Sequence, residues 1–231
     1  MKYFVIGFNK TATTSMHELF LLNGLSSQHD NNWDLDNYDC FSDCFPYNRF
    51  KEYNLTVKYP DAKFILNIRN MKDWIISVVN HCIIYKIQME ELNRKNTEWI
   101  WSWFYPVSRT KILYKIRQRN NHIKEVLEYF TQMANNLIIL DVDNSNWVEF
   151  LCDQLNLNNK IHINAHTTKR LFNSIKHDIN KEACKNKIDE ARILVDSSFE
   201  EVKEDPEYKC IIYESNELDE LIKLYANNLL K

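Results

Sequence analysis

The chain has 231 residues, enough to bury a core without help from disulfides or metal. Its 29 basic and 32 acidic residues leave a formal charge of −3, which excludes holding nucleic acid or anionic lipid through net charge alone. With 45% hydrophobic and 26% charged residues the composition is that of a globular chain, not a disordered one. No apolar run approaches the ~20 residues of a membrane span, and no signal peptide is read at the N-terminus. A cytoplasmic protein without membrane or nucleic-acid partners is therefore expected.

Glycine is the outlier. There are 2, where average usage predicts roughly sixteen. Gly7 and Gly24 are therefore expected where the backbone demands glycine. The six cysteines, Cys40, Cys44, Cys82, Cys152, Cys184 and Cys210, form no C-x-x-C pair, so scattered reduced thiols are expected and no metal site.

In chain order, Tyr3–Ile6 reads as a short buried strand and residues 7–13 as a polar loop. Residues 14–23 show helical spacing, with Met16, Leu19 and Phe20 on one face and Gly24 at the C′ position. Residues 25–29 read as a second strand or an extended link. Residues 30–48, rich in Asp, Asn and aromatics, read as a long functional loop, and a short helix is predicted over 47–58.

Lys63–Ile68 is a clear buried strand. Asn70, with Asp73 three residues on, then caps a helix running towards Gln88. The cluster Trp99, Trp101, Trp103, Phe104 and Tyr105 reads mostly as core, with some members available to line an acceptor pocket. A long helix over 111–134, a strand over 137–142 and a helix over 147–155 follow. From about Thr167 the pattern is helical and charged, broken at Pro206.

Strands alternating with helices predict a three-layer α/β/α fold around a central, mostly parallel sheet of few strands. The whole chain, 1–231, is read as one domain, with a soft boundary near residue 165 and a helix-rich C-terminal part.

The chemistry is carried first by the strand–loop–helix unit at the start of the chain. Its loop reads Gly7-Phe8-Asn9-Lys10-Thr11-Ala12-Thr13-Thr14-Ser15. A loop closing onto a helix N-terminus presents backbone N–H groups and the positive end of the helix dipole. Lys10 adds a point charge and the hydroxyls add donors, so the unit suits a phosphate or similar oxyanion. The spacing is not that of a Walker A loop, because Lys10 stands only three residues after Gly7 and has no Gly immediately before it.

A second segment, Tyr59 to Arg69 followed by Asn70-Met71-Lys72-Asp73-Trp74-Ile75-Ile76-Ser77, places an Arg at the end of a buried strand and a Ser eight residues later. The strand's C-terminal end faces the crevice where α/β proteins bind ligands, and the planar guanidinium suits a phosphate.

Together these segments resemble the sulfotransferases that use 3′-phosphoadenosine 5′-phosphosulfate (PAPS). Asp39-Cys40-Phe41-Ser42-Asp43-Cys44-Phe45-Pro46, His29, Arg117–His122 and Trp147–Leu155 resemble one subgroup of that family. The resemblance covers about residues 2–166. It implies transfer of a sulfuryl group from PAPS to a hydroxyl or amine by in-line displacement, leaving 3′-phosphoadenosine 5′-phosphate (PAP), without metal.

By the same resemblance, Asn9, Lys10, Thr11, Ala12, Thr13 and Thr14 would hold the 5′-phosphosulfate, and Arg69 and Ser77 the 3′-phosphate. Lys10 would neutralise charge on the leaving oxygens. Asp43 or His29 would be the base. The family usually has Gly where Ala12 stands, so negative φ is expected there. Lys169 and Arg170 fall where relatives place a basic loop.

Two other readings stay open at this point: a divergent nucleotide or small-molecule kinase, and a non-catalytic PAP-binding protein of the same fold. The acceptor is not legible in the sequence: a small molecule or a glycan is expected, and although the net charge does not point to a polyanionic glycan, a local patch of Lys111, Lys115, Arg117 and Arg119 keeps one open.

Overall fold

In the computed structural model, the described residues are 1–29, 34–43, 49–91, 105–131, 136–161 and 178–201, with 173, 175, 214, 216–220 and 222. They contain five strands: β1 (Tyr3–Val5), β2 (Ser27–Gln28), β3 (Cys40–Phe41), β4 (Lys63–Ile68) and β5 (Leu137–Asp141). The helices are α1 (Thr13–Leu22), α2 (Arg49–Glu52), α3 (Leu55–Lys58), α4 (Met71–Glu91), α5 (Arg109–Phe130), α6 (Trp147–Leu155) and α7 (Asp178–Glu201). The chain divides into two compact units. One comprises 1–70, 119–165 and 218–231, the other 71–118 and 166–217.

The first unit holds the sheet, with strand order β2-β3-β1-β4-β5 and every pairing parallel. Parallel strands need both faces covered, and the strand residues alternate accordingly. Tyr3, Val5, Cys40, Ile65, Ile138 and Leu140 face α1 and α6, where Met16, Leu19, Phe20, Trp147, Val148 and Leu151 complete one core. Phe4, Ile6, Phe41, Phe64, Leu66 and Ile139 belong to the opposite core, with Phe50 of α2, Leu55 of α3 and Val126 and Phe130 of α5. The rings of Phe4 and Phe64 lie 5.3 Å apart and those of Phe64 and Phe130 5.0 Å, so aromatic contacts tie β1, β4 and α5 together. This is the three-layer arrangement the alternation predicts.

Strand order has a consequence for function. The chain starts in the middle of the sheet, runs out to β2, returns through β3 and then crosses β1 to build β4 and β5. The direction of winding reverses at β1, and ligands in such sheets bind outside the strand C-termini at that reversal.

Three local expectations are corrected. Residues 30–48 are not all loop, since Cys40–Phe41 form β3. Two residues pairing with β1 are too short to show the alternation that betrays a strand in sequence. The helix predicted over 47–58 is two short helices separated at Asn54, whose φ of 48° breaks the run; residues 47 and 48 lie outside the described residues. The long helix predicted over 111–134 is Arg109–Phe130, starting two residues earlier; residues 132–134 lie outside the described residues.

Gly24 fulfils its expectation, with φ +73° at C′. Its N–H donates to the Leu21 carbonyl and that of Leu25 to Phe20, the two bonds of a Schellman motif.

Among its described residues the second unit holds α4, the first half of α5, and α7. Helix α4 packs along α7, with a 2.7 Å ion pair between Lys72 and Asp196 on its margin. Trp74, Val78 and Cys82 of α4, Ile112 and Ile116 of α5, and Cys184 and Val195 of α7 are buried. Cys40, Cys82, Cys152 and Cys184 are all free buried thiols, and burial pushes Cys82 up to about 12. Cys44 and Cys210 lie outside the described residues. Among the described residues no helix is long and apolar enough to cross a membrane.

Candidate functional site

Each strand end of the first unit delivers a candidate residue. β1 leads into Gly7–Ala12, β2 into His29, β3 into Ser42 and Asp43, β4 into Arg69, and β5 into the turn bearing Asp143. The topology therefore gathers the sequence-predicted residues of this unit along one edge of one sheet.

The β1–α1 loop has a definite shape. Lys10 has φ 67° and Ala12 φ 61°, both left-handed, while Thr11 between them does not. Such alternation turns successive backbone N–H groups into a concave anion nest. The expectation that Ala12 keeps negative φ is thus wrong. The fold imposes the conformation that glycine adopts without strain, and alanine accepts it at roughly 1–2 kcal/mol. Ala12 is also the N-cap of α1 and offers no side-chain cap, so the first turn is open to an external anion.

Thr11 behaves differently from the ligand expected of it. It is buried, and its hydroxyl donates to the Phe8 carbonyl and accepts from Asn67. Only its backbone N–H remains for a ligand. Thr13 is also buried, whereas Asn9 and Thr14 are half-buried at the loop surface.

Lys10 is half-buried, and burial pulls its ammonium down to about 8, opposed by the charge of Asp43. It keeps its proton at neutral pH with little margin. Asp43 is itself left-handed, with φ 62°, and its side chain is 37% exposed. Lys10, Ala12 and Asp43 place three strained non-glycine residues at neighbouring strand ends, a pattern associated with functional sites.

His29 joins the two loops. Its Nε2 lies 3.1 Å from Thr14 Oγ1 and its Nδ1 2.9 Å from Ser42 Oγ. Asp43 Oδ2 stands 3.9 Å from the same Nε2. The His29 ring stacks on His17 at 5.4 Å, and His17 Nδ1 lies 2.9 Å from Ser27 Oγ. His17 and Ser42 were not picked out from the sequence. Nothing in their spacing marks them, because each meets His29 only in the fold.

Arg69 leaves the end of β4 as expected, and its Nε lies 3.3 Å from Asp143 Oδ1. Asp143 Oδ2 accepts the Asn70 N–H at 2.6 Å. Arg69's carbonyl accepts from buried Arg119 at 2.9 Å, and Arg119 pairs with Asp219 at 2.6 Å. Ser77 lies on α4 in the second unit, half-buried.

The basic patch is corrected. Lys115 and Arg119 are buried, and burial alone pulls Lys115 down to about 8. Arg119 is held inward by Asp219 and the Arg69 carbonyl, contacts between distant segments that spacing along α5 does not reveal. Trp99, Trp101, Trp103, Phe104, Lys169 and Arg170 lie outside the described residues.

The family model described as a sulfotransferase domain matches residues 24–159. The match contains His29, Asp43, Arg69 and Ser77 and begins after the β1–α1 loop. No curated protein matches the chain.

Proposed function

The chain belongs to the sulfotransferase domain family, whose model covers more than half of it, and from that premise we propose that the strand ends around β1 hold its nucleotide and its base. The protein is an enzyme that moves a sulfuryl group from PAPS to an acceptor and leaves PAP. The family assignment supports this reading over the kinase.

The observation that carries the site proposal is the β1–α1 loop. An uncapped helix N-terminus, a left-handed nest and a half-buried ammonium converge there. These features fit the anionic 5′-phosphosulfate. PAPS supplies the transferable sulfuryl group.

The chain's residues do the rest. Backbone N–H groups over residues 9–14 and the Thr14 hydroxyl orient the anion. Lys10 sets a positive charge against the leaving phosphate oxygens, where negative charge grows during transfer.

Asp43 is the residue we assign as base. Its carboxylate is open to solvent, whereas both ring nitrogens of His29 already face hydroxyls. His29 then holds Thr14 and Ser42 in register. The acceptor is proposed to be a hydroxyl or amine of a small molecule or glycan, since a carboxylate base serves either.

Arg69 is proposed for the 3′-phosphate. Asp143 Oδ1 lies 3.3 Å from its Nε, and the planar guanidinium suits a bidentate contact with a phosphate. Ser77's part rests on the family resemblance. We also read the whole chain, 1–231, as one functional domain, because α5 runs unbroken through both units.

Calorimetric titration with PAP tests the site. The wild type should bind PAP, and Lys10→Ala and Arg69→Ala should each weaken it by about tenfold or more, the scale of one charge-assisted hydrogen bond. Unchanged affinity in either variant would remove that residue from the site. Release of PAP from PAPS with a panel of phenols, alcohols and amines then sorts the acceptor classes.

A further inference from the structure

Asn67 is a polar residue inside the apolar run Phe64-Ile65-Leu66-Asn67-Ile68 and is 1% exposed. A buried amide of this kind destabilises the core unless its hydrogen bonds are made. Here they are made, and all of them go to the β1–α1 loop. Asn67 Oδ1 accepts the Gly7 N–H at 2.9 Å. Its Nδ2 donates to the Thr11 carbonyl and to Thr11 Oγ1, each at 2.6 Å. The amide orientation is unambiguous, because the Gly7 N–H only donates and the Thr11 carbonyl only accepts.

The bonds span the loop. Gly7 is where the chain leaves β1, and Thr11 lies between the two left-handed residues Lys10 and Ala12. The close fit also explains Gly7, since a Cβ there would land on the carbonyl oxygen and Oδ1 of Asn67. Thr11 in turn donates to the Phe8 carbonyl, so the loop closes on itself around the amide.

We propose that Asn67 is a positioning residue for the reaction: it fixes the curvature of residues 7–12, and so the anion nest, from the neighbouring strand. The inference rests on the reading of that loop as the 5′-phosphosulfate site. Asn67 touches no substrate; it acts through Gly7 and Thr11. Holding the nest before the ligand arrives removes an ordering cost from binding. The effect belongs to the 5′ end of the nucleotide alone.

The test compares PAP with adenosine 3′-phosphate, which lacks the 5′-phosphate, by calorimetry on the wild type, Asn67→Ala and Asn67→Ser. In the wild type PAP should bind more tightly than adenosine 3′-phosphate. Asn67→Ala should lower PAP affinity about tenfold, the worth of one or two buried hydrogen bonds, and leave adenosine 3′-phosphate within about twofold. Asn67→Ser, which keeps one hydrogen-bonding group, should fall between, and it carries the test should Asn67→Ala fail to fold.

A merely structural role would weaken both ligands alike or neither, and that result overturns the proposal. If the wild type does not distinguish the two nucleotides, the loop reading itself fails, and the two failures are thus separable.

Discussion

The Asp43 carboxylate is the charge that opposes the desolvation of Lys10. Burial pulls the Lys10 ammonium down to about 8 and Asp43 pushes back, so the residue titrates just above neutrality. A bound anion favours protonated Lys10, so PAP binding near and above pH 8 should take up a proton. Affinity should fall as pH rises through 8, by up to about tenfold per unit. Calorimetry in buffers of different ionisation enthalpy measures the uptake. Lys10→Arg, charged throughout, should flatten the profile, and Asp43→Asn should move its midpoint to lower pH. The same slope in Lys10→Ala would assign the titration to another group.

The sign for stability is opposite. The unfolded Lys10 titrates near 10.5 and the folded one near 8, so the unfolded chain binds more protons between those values. Lys10's own contribution to stability should therefore rise with pH across that window. It is read as the difference in thermal unfolding between the wild type and Lys10→Met from pH 7.5 to 10.5, and a difference independent of pH would contradict the depressed value.

Ala12 carries a strain that glycine relieves. At φ 61° an alanine costs roughly 1–2 kcal/mol, while glycine brings back about 0.5–1 kcal/mol of unfolded-state entropy. Ala12→Gly should stabilise the protein slightly, by up to about 1 kcal/mol, or roughly 2–4 °C in Tm. Ala12→Val should lose more than that. Differential scanning calorimetry of the two variants decides; a destabilised Ala12→Gly would mean that the loop relaxes in solution.

The two glycines should fail differently on replacement. Gly24→Ala meets open space, and only its φ of +73° is penalised, at roughly 1–2 kcal/mol. Gly7→Ala drives a Cβ into the backbone carbonyl and side chain of Asn67, and the side chain can yield only by giving up its bond to the Gly7 N–H. It should cost more than about 4 kcal/mol and abolish soluble expression. Expression yield and Tm of both variants check the ranking.

Much of this was legible in the sequence because the informative residues are adjacent. The strand–loop–helix turn reads directly off Gly7 to Ser15, and Arg69 reads as the residue that follows an apolar strand, as the structure has it. The α/β alternation gave the layers, and helix α6 was bounded at Trp147 and Leu155 from pattern alone. What was illegible depends on contacts between distant segments. β3 exists only through pairing with β1 and β2. Nothing in the spacing of Lys63–Ile68 marks Asn67, whose amide partner Gly7 stands 60 residues earlier in the chain. Thr11 counted as one more hydroxyl, although its side chain points into the protein. The left-handed turn at Ala12 contradicted the residue's own preference, as happens where a fold stores strain at a site.

Asp43 and His29 should separate in kinetics. If Asp43 accepts the acceptor's proton, Asp43→Asn should lower kcat about 10²–10⁴-fold while the affinity for PAP at pH 7 changes little. His29→Gln keeps hydrogen-bonding capacity towards Thr14 and Ser42 and should cost less in kcat, with a rise in KM for PAPS instead. Steady-state release of PAP from PAPS, with whichever acceptor class proves active, gives both parameters. The reverse ranking would make His29 the base.

His122 ties α5 to the strand that launches the loop. Its Nε2–H donates to the Ile6 carbonyl at 2.6 Å, and the Phe8 ring meets its face edge-on at 5.2 Å. Burial pulls its pKa below 6.5, outweighing the pull of that hydrogen bond and of Glu125 in the other direction. The unfolded histidine therefore binds a proton that the folded one refuses, over the window just below pH 6.5. Stability from this group is complete above 6.5 and is lost as pH falls through that window. Protonating His122 keeps its donation to Ile6 but buries a charge, so it should destabilise the core on which the β1–α1 loop is built. Urea unfolding and PAP titration between pH 7.5 and 5 should therefore weaken together. His122→Gln, which keeps a donor for Ile6 but does not titrate, should be less stable at pH 7.5 and lose less on acidification. An acid loss as steep in that variant as in the wild type would place the sensitivity elsewhere in the protein.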